Sequence, residues 1–245
     1  MPEAFPKAGL AYLPGGQLTT ADDATLASAM MAGDVQAPRV AWTRFAPMVH
    51  RMLKRTFGPT QDVDDMVQDV FLTLFRKVGG LREPKSLKAF VIAITAMTIK
   101  YELRQRRVRR WIYLSDAVSE LEGQSIEQPD AASRQALRAF YAILDRLSAH
   151  DRTAFVLRFF EGLELTDVAG ALGISVSTTK RHLVRIWRRV TVLVSRAPEL
   201  ETYLPRLAQM ERGENKQEIK QEIRQEPKQE PGQEPGQENS QKDRR

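Results

Sequence analysis

Asp62, Asp65 and Asp69 recur at three- and four-residue steps, the spacing that puts side chains on one face of a helix. Carboxylates grouped in this way can hold a catalytic divalent ion, as in a helical nuclease. Such a site also needs ligands facing the row from a second element, and the sequence offers none. The three histidines, His50, His150 and His182, have no metal-like spacing. With no cysteine in the chain there is no thiol nucleophile, thiolate ligand or disulfide. Catalytic, cofactor-binding and metal-ligating residues are therefore all read as none, and the expected chemistry is recognition by charge.

The formal charge of +6 and a pI near 9.6 favour a polyanionic partner. Residues 211–245 hold eight basic and nine acidic side chains, so the excess lies upstream of them. Two stretches carry it. In "GISVSTTKRHLVRIWRRV" (173–190), Thr179, Leu183, Ile186, Trp187 and Val190 form one apolar stripe at helical spacing. Ser177, Thr178, Arg181, Val184, Arg185 and Arg188 fall on the opposite face, with Lys180 and His182 at the flanks. A short helix capped by Thr166, a stop at Gly173 and a second helix capped by Ser175 make a helix-turn-helix. Its first residues reach base edges in a major groove while the later arginines meet phosphates.

The other basic stretch, "KYELRQRRVRRW" (100–111), ends an almost wholly apolar helix that starts "FVIAITAMTI". Lys100, Arg104 and Arg107 share a face, Arg106, Arg109 and Arg110 follow, and Tyr101 and Trp111 are interleaved. Charge beside rings suits a nucleic-acid strand, whose phosphates are held and whose unpaired bases stack. For Tyr101 and Trp111, packing in the core is the alternative.

In "QDVDDMVQDVFLTLF" (61–75), Val63, Met66, Val67, Val70, Phe71 and Leu74 form the core stripe. Asp62, Asp65 and Asp69 lie on another face beside Gln68 and Leu72. That face suits docking on a basic helix, although periodicity alone slightly favours a solvated acidic surface with one exposed leucine.

These motifs need helices to position them, and the sequence reads as helical throughout its patterned part. Residues 1–19 are rich in Pro and Gly and read as a flexible extension. A helix capped near Thr20 carries Leu26, Met30 and Met31 and stops at Gly33. A second carries Val40, Trp42, Phe45, Val49 and Leu53 and is expected to kink at Pro47. Helices over 61–77 and 86–109 complete a first domain, 20–111. Residues 112–133 carry five acidic side chains and no Lys or Arg, and read as a linker. A second helical domain spans 134–195, with Ser148 capping its helix at 149–160. The Gln-Glu repeat within 196–245 has too little apolar surface to order. The expected fold is all-α, two small helical domains joined by an acidic linker, with a disordered C-terminal tail. There is no basic segment followed by a long apolar run at the start, and the longest apolar stretch (90–99) falls short of the roughly 18 residues of a span. A soluble cytoplasmic protein with no membrane insertion is expected.

Taken in order, the "DVDDMVQDVFLTLF" helix, the Phe90 helix ending in arginines, the acidic linker and "LSAHDRTAFVLRFFEGLELTDVAGALGISVSTTKRHLVRIWRR" resemble a bacterial RNA polymerase sigma factor of the small, extracytoplasmic-function type. LuxR-type response regulators share a similar "LG-IS…TK…HL" pattern but lack the acidic helix. The resemblance implies a promoter-specificity subunit without chemistry of its own, whose partners are core RNA polymerase, promoter DNA and, as is usual in the family, an anti-sigma factor. It implies that Asp62, Asp65, Gln68, Asp69 and Leu72 dock on the polymerase. Lys100, Tyr101, Arg104, Arg106, Arg107, Arg109 and Arg110 would capture the −10 element, and Ser177, Thr178, Lys180, Arg181, Arg185 and Arg188 would read the −35 element. The linker would thread the polymerase's RNA path. Two departures stand out: Phe90 replaces the usual Trp, and "ITAMTIKYE" lacks the Asn and Asp common near Met97 and Tyr101. A free-standing helix-turn-helix regulator is the alternative function.

Overall fold

The computed structural model describes residues 15–58, 62–112 and 131–204, with only the backbone at 15–17 and 110–112. All regular elements among them are helical. The first is α1 (Gly15–Thr20), in a segment expected to be an unstructured extension. Leu18 explains the difference: it is fully buried, and Arg44 donates to the carbonyls of Leu18, Thr19 and Ala21. One apolar anchor and one arginine thus order a turn that composition alone marks as loose.

Asp22 caps α2 (Asp23–Met31) by accepting from the Thr25 amide at 2.8 Å, and Gly33, with φ of 79°, turns the chain out of it. α3 (Ala37–Phe57) runs unbroken through Pro47, against the expected interruption. Pro47 lies on the exposed side, so its ring and the lost amide fall toward solvent. Phe45, Val49, Met52 and Leu53 meanwhile hold the other face in the core. α4 (Val63–Lys77) buries all six residues of its expected stripe, and it begins one residue after Asp62. Short 3-10 turns at Val78–Gly80 and Pro84–Ser86 lead into α5 (Leu87–Ile112). Leu87, Val91, Ile94 and Ile99 of α5 join Phe45, Val70, Phe71 and Leu74 in one core.

The second block contains α6 (Ala131–Leu144), α7 (Ala149–Phe155) continuing as a π turn over Val156–Phe160, α8 (Leu165–Leu172) and α9 (Val176–Val194). Ser148 caps α7 as expected, accepting from the Asp151 amide at 3.0 Å. Thr166 does not cap α8; Glu164 occupies that position, and Thr166 is inside the helix. A 3-10 helix at Pro198–Tyr203 packs on α6 and buries Leu200, so ordered structure passes the expected end at 195. The expected tail beyond 204 and most of the linker, residues 113–130, lie outside the described residues, as do residues 1–14.

The two blocks meet within one compact unit ending at Leu204. α5 packs along α7 and α8, and α3 meets the π turn. Arg152 of α7, 5% exposed, donates through Nε to the Thr56 carbonyl at 3.0 Å and pairs with Asp145. Arg51 and Arg55 of α3 pair with Glu161, each at 3.0 Å. Tyr141 packs its ring where a Cβ on Gly58 would come within 3.2 Å, and Gly58 has φ of 80°. Both facts require glycine at that turn.

Candidate nucleic-acid interface

α8 ends at Gly173 in the left-handed conformation, φ 71° and ψ 35°. The amides of Gly173 and Ile174 bond back to the carbonyls of Gly170 and Ala169, a glycine-dependent helix stop. Two residues on, Ser175 caps α9: its Oγ accepts from the Thr178 amide at 3.2 Å and lies 2.8 Å from the Thr178 hydroxyl. This local chemistry sets α9 at an angle to α8 and aims its first turn outward. Thr179, Leu183, Ile186 and Val190 are buried, while Trp187 is only half-buried, its ring 4.8 Å from that of Phe159. Ser177, Arg181, Arg185 and Arg188 form an exposed stripe along α9, with Thr178 and Lys180 half-buried beside it. Arg185 also pairs with Asp151 at 3.3 Å.

The basic residues of α5 fall into two sets. Tyr101 is 62% exposed, so it is not a core residue, and Arg104 and Arg107 are exposed with it. Arg106 is half-buried: it pairs with Glu102 at 2.9 Å and Asp62 at 3.0 Å, and lies 4.6 Å over the Phe57 ring. Arg109 also pairs with Glu102, at 2.8 Å. The side chains of Arg110 and Trp111 lie outside the described residues. Lys100 is half-buried, and burial, then Arg104, pulls its pKa below the usual lysine value. These pairings tie Arg106 to the scaffold and leave Tyr101, Arg104 and Arg107 as the outward group.

On α4, Asp65, Gln68, Asp69 and Leu72 are exposed together, Leu72 by 53%. Asp65 and Asp69 have no ion pair among the described residues, whereas Asp62 is shared with Arg106. Beside them, Trp42, His50, Asp64, Val67 and Gln68 help line an open groove of about 670 Å³ between α3 and α4. Trp42 reaches it while its ring sits 4.5 Å from Phe71. Periodicity places Trp42 near the core, and only the packing of α3 on α4 leaves part of it outside.

The structure also brings together two histidines that sequence spacing did not connect. His150 at the start of α7 and His182 in α9 have ring centroids 5.3 Å apart, at 73°. His150 is held below the ordinary imidazole pKa, first by burial and then by His182, with Asp151 opposing and Lys100 and Arg104 of α5 adding to the depression.

Comparison with known families assigns this arrangement. A family model described as Sigma-70 region 2 matches residues 41–109, spanning α3 to α5, and one described as Sigma-70, region 4 matches residues 137–190, spanning α6 to α9. The chain belongs to the sigma-70 family. It is a sigma factor of the extracytoplasmic-function type, a subunit that binds core RNA polymerase and directs it to promoters. Among its relatives is the RNA polymerase sigma factor CnrH of Cupriavidus metallidurans, 26% identical over 148 residues, which cover 57% of this chain and 78% of CnrH. Another is the ECF RNA polymerase sigma factor SigM of Mycobacterium tuberculosis, 26% identical over 172 residues, which cover 70% of this chain and 84% of SigM. The fold matches that of CnrH in its complex with the cytosolic domain of CnrY, with a TM-score of 0.52 at 21% identity, over 71% of this chain and 97% of that one. The free-standing regulator is disfavoured, because it leaves the region 2 half of the sigma factor unexplained. No helix among the described residues is long and apolar enough to cross a membrane.

Proposed function

We propose that this sigma factor divides its task among three surfaces. Asp65, Gln68, Asp69 and Leu72 on α4, with Asp62 at its edge, dock on a basic helical surface of core polymerase. The observation that carries this is that Asp65 and Asp69 have no ion pair among the described residues and stand next to an exposed leucine, in a chain whose net charge is positive. Electrostatic complementarity then speeds encounter, and Leu72 adds desolvated area.

Tyr101, Arg104 and Arg107 contact the −10 element, with Lys100, Arg109 and Arg110 flanking them and Arg106 anchoring the helix through Asp62 and the Phe57 ring. Ser177, Thr178, Lys180, Arg181, Arg185 and Arg188 contact the −35 element, the early residues at bases and the later ones at phosphates. The reading is of a non-catalytic initiation subunit working in the cytoplasm. Its domains on this reading are 20–111 and 134–195 about an acidic linker at 112–133, with the ordered turns Gly15–Thr20 and Pro198–Tyr203 added at their outer ends, and an anti-sigma factor is its natural antagonist.

The test is titration of the purified chain with sigma-free core polymerase at moderate salt, read by fluorescence anisotropy. Saturable binding that a known sigma factor displaces is expected; absence of binding by a folded chain would return the free-standing regulator. Within that complex, Arg181→Ala is expected to lose about 1 to 3 kcal/mol of discrimination at one −35 position. Equal weakening on every promoter variant would make Arg181 a phosphate contact instead.

A further inference from the structure

We propose that His150, Asp151 and His182 form a binding site for a divalent transition-metal ion of the zinc class, joining α7 to α9. One ligand atom from each residue lies within 4.8 Å of the other two, and all three residues are half-buried. Two imidazoles and a carboxylate are a donor set for zinc and its neighbours, whereas magnesium and calcium prefer oxygen alone. A tetrahedral ion with bonds near 2.1 Å sets its ligands about 3.4 Å apart, a closure that side-chain rotation supplies.

An independent observation concerns His182. Its Nδ1 is buried and has no hydrogen-bond partner among the described residues. Buried polar atoms are seldom left unsatisfied, so this ring presents an edge that the described residues do not complete. Asp151 is engaged by Arg185 at 3.3 Å, but the Arg185 side chain is 63% exposed, so water can take over its contacts when the carboxylate changes partner. The ion therefore takes the carboxylate and releases Arg185.

The position gives the ion a consequence. α9 carries the exposed arginine stripe, and the site cross-links it to α7 beside Lys100 and Arg104 of α5. Occupation stiffens the α7–α9 joint and frees Arg185 for DNA. This last step rests on the proposed −35 role of α9; the binding of the ion does not.

The experiment is calorimetric titration of the chelator-treated full chain with Zn²⁺ near neutral pH, with Co²⁺ absorption as a reporter of ligation. The wild type is expected to take up one equivalent, with visible Co²⁺ bands. His150→Gln and His182→Gln are expected to bind at least about tenfold more weakly, and His50→Gln, beside Asp64 on the other block, to bind as the wild type does. Circular dichroism checks folding, and if His182→Gln unfolds, His150→Gln decides alone. Failure of the wild type to take up Zn²⁺, or undiminished binding by folded His150→Gln, overturns the site. Promoter binding plays no part in this readout, so its failure and that of the proposed DNA contacts are distinguishable.

Discussion

Replacing Asp65 and Asp69 together by lysine lowers affinity for core RNA polymerase at least about tenfold while leaving helical content unchanged. The size follows from turning an attractive contact into a repulsive one, since like charges across an interface cost several kcal/mol and slow encounter. The fold tolerates the change because both side chains are exposed and unpaired among the described residues, and the stability of α4 lies in its buried stripe from Val63 to Leu74. Asp65 is in the first turn, so a lysine there costs about 0.3 to 1 kcal/mol against the helix dipole. That is small beside the expected loss of binding. Anisotropy titration of wild type and variant against the same core enzyme measures the effect, and the difference should shrink as salt is raised. Retained affinity would leave the acidic row as a solvated surface.

Arg152→Met has the largest expected effect on stability. The arginine is buried, its Nε satisfies the Thr56 carbonyl from the other block, and its guanidinium pairs with Asp145. Methionine fills much of the space but leaves the Thr56 carbonyl without this donor and removes one contact of the Asp145 carboxylate. Orphaning a buried acceptor costs about 1 to 3 kcal/mol, and the pair with the exposed Asp145 carboxylate adds little, so a loss of about 1 to 3 kcal/mol is expected. Urea unfolding measures it. The same variant should leave Zn²⁺ uptake at His150 and His182 intact if folded, because Arg152 contributes no ligand. A change under 0.5 kcal/mol would mean that the seam between the blocks is held elsewhere, for example by Glu161 with Arg51 and Arg55.

Local patterning carried a large part of the fold. The stripe of α4 was legible because its apolar residues repeat at helical spacing and no tertiary contact overrides them. Ser148, Gly173 and Ser175 were legible because capping and left-handed turns depend on residues one to three positions apart. Thr166 failed as a cap because Glu164 took the position two residues earlier, within the ordinary uncertainty of a helix start. Pro47 failed as a break because the buried face of α3 outweighs the loss of one hydrogen bond. Leu18 and Leu200 lie outside the expected domains yet are buried, since a single apolar residue in a polar stretch has no period to announce it.

By itself the sequence determined the helical class, the core stripes, the helix-turn-helix punctuation and which faces carry charge. Each depends on neighbours within about one or two helical turns, where the 3.6-residue repeat fixes geometry. Tertiary structure alone decided which charges are free. Arg106 lies in the same run as Arg104 and Arg107, yet it is half-buried against Asp62 and the Phe57 ring while they face outward. It also decided that Arg152 is a bolt between blocks, and that His150 and His182, far apart in sequence, share a site with Asp151. The physical reason is that pairing between distant helices depends on how their faces are docked, and periodicity along one helix holds no record of its partner.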